Sequence, residues 1–285
     1  MGEAGYNVDF INSEHIGEYT EIEGCKLHYY TVGSGQPLLL LHAYGQSLYT
    51  WRELYGRLSP YFTVIAVDLP GFGYTKCAAG LHFDIESTAG LLKAFLAELG
   101  VKTTYICAAS TGAFPALMLA SASPQSVAAL ALNSPSGFSA RMPVPLRTAA
   151  GAFSSLAPLL LSPGTVRSAL SAYYFDQTRL TADTVEQYYA PYRSQAQCRE
   201  AVSSIRAFHT VSTLSALRGV KCPVLTVLGR EDKYQDKKLC SALSTALPES
   251  KQLIINNCGH IIQEEKPERL CAILCEFLGA AQSQY

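Results

Sequence analysis

The sequence has no surplus of either charge: 22 Lys and Arg stand against 23 Asp and Glu, a net charge of −1 over 285 residues. Without a basic excess there is no electrostatic footprint for a phosphate backbone or an anionic surface, so neither nucleic acid nor membrane is expected as a partner. Long apolar runs are missing too. The least polar stretch, 149–161, is broken by Ser154, Ser155 and Pro158 and falls short of the roughly 20 apolar residues of a spanning helix. The first residues carry no basic segment followed by an apolar one, and Tyr6 stands where a myristoylation signal at Gly2 wants Ser or Thr, so export and lipid anchoring are not expected. The nine cysteines include no Cys-x-x-Cys and no Cys/His metal spacing. No metal is expected, and the thiols read as reduced small hydrophobes of a cytoplasmic protein. Repeats, low-complexity tracts and Ser/Gly linkers are also absent.

What is present is apolar patterning. With 48% hydrophobic and 16% charged residues the chain can bury a full core, as one large α/β domain or two small ones. Thr20–Glu23 and Lys26–Val32 alternate around Gly24 as a hairpin would. Pro37–Leu41, Phe62–Val67, Thr104–Ala108, Val127–Leu132, Pro223–Leu228 and Gln252–Ile255 are short continuous apolar runs, the mark of strands buried on both faces of a parallel sheet. Helix-periodic segments lie between them, including Trp51, Leu54, Tyr55, Leu58 and Leu91, Leu92, Phe95, Leu96, Leu99. Alternating strands and helices predict a mostly parallel central sheet with helices on both faces. The gap between Asn133 and Pro223 far exceeds what a crossover needs and holds helix-like stretches with proline breaks. The expected division is a core of residues 1–136 and 216–285 with a helical cap insertion at 137–215.

Cys107-Ala-Ala-Ser110-Thr-Gly-Ala113 follows a predicted strand and opens a helical segment. A serine on such a corner is lifted above the sheet in a strained backbone, and the small Ala108 and Gly112 avoid clashes. A serine hydroxyl becomes a nucleophile only with a histidine to take its proton and a carboxylate to orient that histidine. Asp232 follows one predicted strand and His260 the last, and strand-end loops gather on the carboxyl edge of a parallel sheet. Glu231 and Asp236 are rival acids; His15, His28, His82 and His209 carry no partner pattern, and Asp68 reads as a turn cap.

In this order of serine, acid and histidine the chain resembles the α/β-hydrolase fold family, from about residue 16 onward. His42-Ala-Tyr-Gly45 is similar to its His-Gly-x-Gly loop and Asp68-Leu-Pro-Gly-Phe-Gly73 to its Asp-x-x-Gly-x-Gly turn. The resemblance implies a catalytic Ser110, Asp232 and His260, a structural His42, and an oxyanion hole made by the backbone N–H groups of Tyr44 and Thr111, whose side chains would matter less. Ala108 and Ala43 replace family glycines; the first methyl should be absorbed and the second could narrow the acyl pocket. The serine nucleophile argues against haloalkane dehalogenases and epoxide hydrolases, and Thr111 with the His42 loop against proline iminopeptidases.

Substrate selection is expected from Ala43 and cap aromatics, chiefly Phe138, Tyr173, Tyr174 and Tyr188. Between Gly137 and Ser215 seven Arg against four acids leave the cap at +3, so one Arg could clamp a carboxylate. The expected activity is cofactor-independent hydrolysis of a small or medium carboxylic ester or thioester through an acyl-enzyme. A carbon-carbon bond hydrolase of the meta-cleavage-product type, or a lyase, would use the same three residues, and a small-molecule receptor keeping the triad is the alternative outside catalysis.

Overall fold

The computed structural model describes residues 16–78, 80–81, 83–137, 161–207, 216–247 and 250–282. β1 (Glu18–Ile22) and β2 (Cys25–Val32) form the expected hairpin, turning through Glu23 and Gly24 at φ 50° and 78°. Positive φ at both central residues matches the right-handed twist of the flanking strands. The chain continues through β3 (Gln36–Leu41), β4 (Phe62–Val67), β5 (Lys76–Cys77), β6 (Thr104–Ala109), β7 (Val127–Asn133), β8 (Val224–Gly229) and β9 (Lys251–Ile255). They make a nine-stranded sheet of order β1-β2-β4-β3-β6-β7-β8-β9, with β5 on β2. The β1, β2 and β5 pairings are antiparallel, whereas every pairing from β4 across to β9 is parallel.

β3 explains why the apolar runs are continuous. Successive side chains point to opposite faces of a strand. Leu38 and Leu40 enter one core cluster and Leu39 and Leu41 the other, all four fully buried. The Leu38 face is covered by α1 (Arg52–Leu58) through Leu54 and Leu58 and by α9 (Pro267–Gln282) through Leu270, Ile273 and Leu274. The Leu39 face is covered by α2 (Ile85–Glu98), α3 (Ala113–Ala122) and α7 (Lys237–Ala246), which contribute Leu92, Phe95, Leu117 and Leu243. α2 begins with a capping box between Asp84 and Ser87, which satisfies two of its free N-terminal amides. α8 (Ile262–Glu265) is a single turn ahead of α9.

Between β7 and β8 the chain leaves the sheet and forms α4 (Pro163–Tyr173), α5 (Ala182–Tyr189) and α6 (Gln195–Ala207). α4 opens on a Ser162/Thr165 capping box with Pro163 in its first turn, where a missing N–H costs nothing. Phe138, expected from the sequence to line the pocket, lies outside the described residues, as do Arg141 and Arg147 of the seven insertion arginines. So do His15, His82 and His209.

Two local expectations are corrected. Cys25 and Cys77 are joined by a disulfide across β2 and β5, while the other seven cysteines are free. The reduced-thiol reading therefore fails for this pair, and the cytoplasmic expectation loses that support. His28 does have a carboxylate partner: its Nδ1 lies 2.7 Å from Asp68 Oδ2, both side chains buried, and its Nε2 lies 2.9 Å from the carbonyl of the half-buried Ile16. Asp68 caps its turn as expected, accepting from Tyr74 N–H at 2.8 Å, and also accepts from Leu48 N–H at 2.7 Å, so it ties several segments together as well. Among the described residues no helix is long and apolar enough to cross a membrane.

Candidate active site

The chain passes from β3 to β4 on one side and then to β6 on the other, so the strand order reverses beside β3. Loops leaving the carboxyl ends of strands diverge at such a point and open a crevice. The loop after β3 carries His42–Gly45 and the corner after β6 carries Ser110, and the two strands run in register as far as Leu41 and Ala108. The loops after β7, β8 and β9 bring Ser136, Asp232 and His260 to the same edge.

Ser110 has φ 48°, the strained left-handed region, at the start of the short turn Ser110–Gly112 that leads into α3. Gly112 is required by contact: a Cβ there would stand 2.5 Å from His42 O and 2.9 Å from Leu41 O. Ala108, in place of the family glycine, is fully buried in the cluster that holds Leu41 and Leu132.

His260 Nδ1–H donates to Asp232 Oδ2 at 2.8 Å, and Ser110 Oγ lies 2.9 Å from His260 Nε2. All three residues are buried to within a tenth of full exposure. Burial pushes the Asp232 carboxyl up, but its hydrogen bond to His260, the charge of that ring and the N–H of Tyr234 together hold it below its ordinary value. The rival acids are engaged elsewhere. Glu231 accepts from Cys258 N–H at 2.9 Å and Asp236 caps α7 through Leu239 N–H at 3.0 Å. His42 braces its loop as expected, with Nδ1 on the carbonyl of Ala43 at 2.7 Å and Nε2 accepting from Leu69 N–H at 2.9 Å. Burial lowers its pKa against the pull of Asp68, so the neutral ring suits both bonds.

The aromatic residues expected to line a pocket divide. Tyr173 stacks on the His260 ring at a centroid distance of 5.0 Å, and its carbonyl accepts from His260 N–H at 2.8 Å. Tyr174 and Tyr188 are a correction: both are buried, and their hydroxyls donate to the carboxylate of Glu264. They fasten the insertion to the core. Ala43 is buried and its N–H donates to Gln46 Oε1 at 3.1 Å. The Tyr44 N–H, expected to face an oxyanion, donates to Thr111 Oγ1 at 2.8 Å. Of the insertion arginines, Arg167 bonds the carbonyl of Leu180, Arg179 that of Glu264, and Arg193 the carboxylate of Glu186, so these three do not form the expected clamp.

Three functional contacts went unread in the sequence. Ser136 Oγ lies 2.9 Å from Ser110 Oγ. Tyr234 donates its N–H to Asp232 Oδ1 at 2.8 Å. Glu265 accepts from the N–H groups of Gly259 at 2.8 Å and of Phe175 and Asp176 at 2.9 Å, clamping the His260 loop to the end of α4. None belongs to a spaced motif; each depends on loops meeting in space.

The chain is similar to known hydrolases over nearly its whole length. The 2-hydroxy-6-oxo-2,4-heptadienoate hydrolase of Pseudomonas putida is 25% identical over 281 residues, which cover 95% of this chain and 98% of that protein. A 2-hydroxymuconate semialdehyde hydrolase of a Pseudomonas species is 25% identical over 285 residues, 95% of this chain and 97% of that protein. Among solved structures, a meta-cleavage product hydrolase of Pseudomonas fluorescens superposes with a TM-score of 0.81 at 23% identity, over 93% of this chain and 98% of the other, a likeness of fold. The sequence profile of the alpha/beta hydrolase fold matches residues 36–267, and the chain belongs to the α/β-hydrolase fold family.

Proposed function

We propose that this protein is a serine hydrolase that cleaves a carbon-carbon bond beside a ketone, in a substrate of the 2-hydroxy-6-oxo-dienoate class. The observation that carries the hydrolase reading is the unbroken hydrogen-bond path from Asp232 through His260 to Ser110. The bond type comes from the relatives, whose names describe dienoate and semialdehyde hydrolases. They support the carbon-carbon reading over the ester or thioester that the sequence put first.

In the proposed reaction His260 Nε2 takes the Ser110 proton as Oγ adds to the ketone carbon, and Asp232 stabilises the imidazolium. Negative charge gathers on the former ketone oxygen, beside the N–H of Thr111. Cleavage proceeds from the 2-oxo tautomer of the substrate, its hydroxyl proton having moved to C5; collapse breaks the C5–C6 bond, the electron pair delocalises through the C3–C4 double bond onto the 2-oxo oxygen, and His260 returns the proton there. Water deprotonated by His260 then opens the acyl-Ser110, giving a carboxylic acid and the free serine. No cofactor enters these steps. Tyr173, against the imidazole, forms the cap side of the site.

The test is turnover of 2-hydroxy-6-oxo-6-phenylhexa-2,4-dienoate, followed by loss of its absorbance and product analysis, beside p-nitrophenyl butyrate and an acyl thioester. Dienoate cleavage that exceeds ester cleavage supports the reading, with Ser110→Ala lowering kcat on the order of 10⁶-fold. Faster ester turnover returns the esterase reading, and tight binding without turnover the receptor reading.

A further inference from the structure

The oxyanion hole implied by the family resemblance draws on two amides, and one of them is spent. Tyr44 N–H donates to Thr111 Oγ1 at 2.8 Å. The neighbouring Ala43 N–H is taken by Gln46 Oε1 at 3.1 Å. The β3 loop therefore presents neither amide openly to a negative oxygen. The group that occupies the Tyr44 amide is, however, itself a donor. A threonine hydroxyl that accepts one hydrogen bond still carries its own proton, and among the described residues no acceptor takes that of Thr111. Thr111 is 6% exposed and directly follows the nucleophile, so this proton has little access to bulk water.

We propose that the Thr111 hydroxyl is a catalytic oxyanion donor, held by Tyr44 N–H and acting together with its own backbone N–H. The inference rests on Ser110 being the nucleophile. The N–H and Oγ1–H of one threonine are close enough to converge on a single oxygen. Accepting from Tyr44 polarises the hydroxyl and strengthens it as a donor. The β-branch restricts χ1, and the Tyr44 bond fixes it further, so the donor is in place before charge develops and needs no reorganisation at that moment. The Tyr44 amide thus acts one bond removed from the oxygen it was expected to touch. In the opposite arrangement the hydroxyl is a plug that substrate must displace. The two differ in sign: removing a donor slows the reaction, and removing a plug speeds it.

The experiment measures kcat and KM for Thr111→Val, Thr111→Ala and Thr111→Ser on 2-hydroxy-6-oxo-6-phenylhexa-2,4-dienoate or p-nitrophenyl butyrate, whichever the wild-type protein turns over. Ser110→Ala is run in parallel and each variant's melting temperature is recorded. Thr111→Val is nearly isosteric, and Thr111→Ala guards against a Val variant that does not fold. The expected result is a loss of about 10²-fold in kcat for Val and Ala, with KM little changed and Ser restoring most of the rate. Affinity for a boronic acid or trifluoromethyl ketone, whose adduct with Ser110 carries the tetrahedral oxygen, falls with Val and Ala and returns with Ser; a merely structural threonine would not sort the variants this way. A Thr111→Ala protein as fast as wild type or faster overturns the proposal, as does equal loss in all three variants. Full activity in Ser110→Ala overturns the nucleophile assignment itself, a result separable from any outcome at Thr111.

Discussion

The phenol of Tyr174, next after the last residue of α4, donates a 2.6 Å hydrogen bond to the buried carboxylate of Glu264 in α8. The same carboxylate pairs with Arg52 at 2.7 Å, accepts from Thr50 at 2.7 Å and also receives the phenol of Tyr188 from α5. Two insertion helices and the start of α1 thus close on one charge that is fully shielded from water. Removing one partner of a buried pair leaves the other uncompensated, at about 3–5 kcal/mol. Glu264→Ala is expected to lower stability by about 3 kcal/mol and Tyr174→Phe by about 1 kcal/mol. Urea unfolding checks both, and an unchanged midpoint for Glu264→Ala would sink the account.

The Cys25–Cys77 bridge spans 52 residues of sequence. Closing a loop of that length in the unfolded chain removes entropy worth about 4 kcal/mol on the chain-entropy account. It also secures β5, a strand of two residues paired, among the described residues, only with β2. Cys25→Ser with Cys77→Ser, or reduction by dithiothreitol, is expected to shift the urea midpoint down. Thiol titration of the unfolded, unreduced protein should find seven reactive cysteines; nine would refute the bridge.

These two features were the least legible in the sequence, for physical reasons. Parallel strands such as β3 announce themselves because both faces are buried, and Ser110, Asp232 and His260 were legible because each follows a predicted strand, strand ends share one edge, and their order resembles that of the family. β5 is too short to show a period, and it is held by a pairing that spacing alone does not reveal. Glu264 collects partners from Thr50, Tyr174 and Tyr188, which approach only after folding. Composition announced aromatic residues in the insertion but not which would turn their hydroxyls inward, so Tyr173 faces the site while its neighbour Tyr174 does not.

Asp232 links stability to pH. Its folded pKa lies below the ordinary 3.8, so on acidification the unfolded chain takes up the proton first. The contribution is fully present above that ordinary value and is lost as pH falls through the lower folded one. Asp232→Asn lacks this term, and its stability should fall less steeply than wild type below about pH 4. Urea midpoints between neutral pH and the acid limit decide it; parallel curves would remove Asp232 from the acid response. The same substitution should lower kcat on the order of 10⁴-fold, since an amide no longer fixes the imidazole tautomer.

Ser110 Oγ has one proton and two hydrogen-bond partners, His260 and Ser136. Asp232 accepts from His260 Nδ1–H, which leaves Nε2 as the acceptor on the Ser110 side, and Ser110 spends its proton there. The 2.9 Å contact with Ser136 must then run the other way, with Ser136 donating to Ser110 Oγ. Ser136 is held for this by its loop: Ser134 N–H bonds Val227 O at 2.8 Å, in a backbone at φ 43°. A donor on the serine oxygen fixes its rotamer and favours the charge that appears when the proton leaves. Losing one such bond is worth about 1–1.5 kcal/mol, or roughly a tenfold rate. Ser136→Ala is therefore expected to slow phosphonylation of Ser110 by a fluorophosphonate about tenfold while leaving the fold intact. A rate equal to wild type would mean that the contact is packing alone and that Ser110 is oriented by His260 without help.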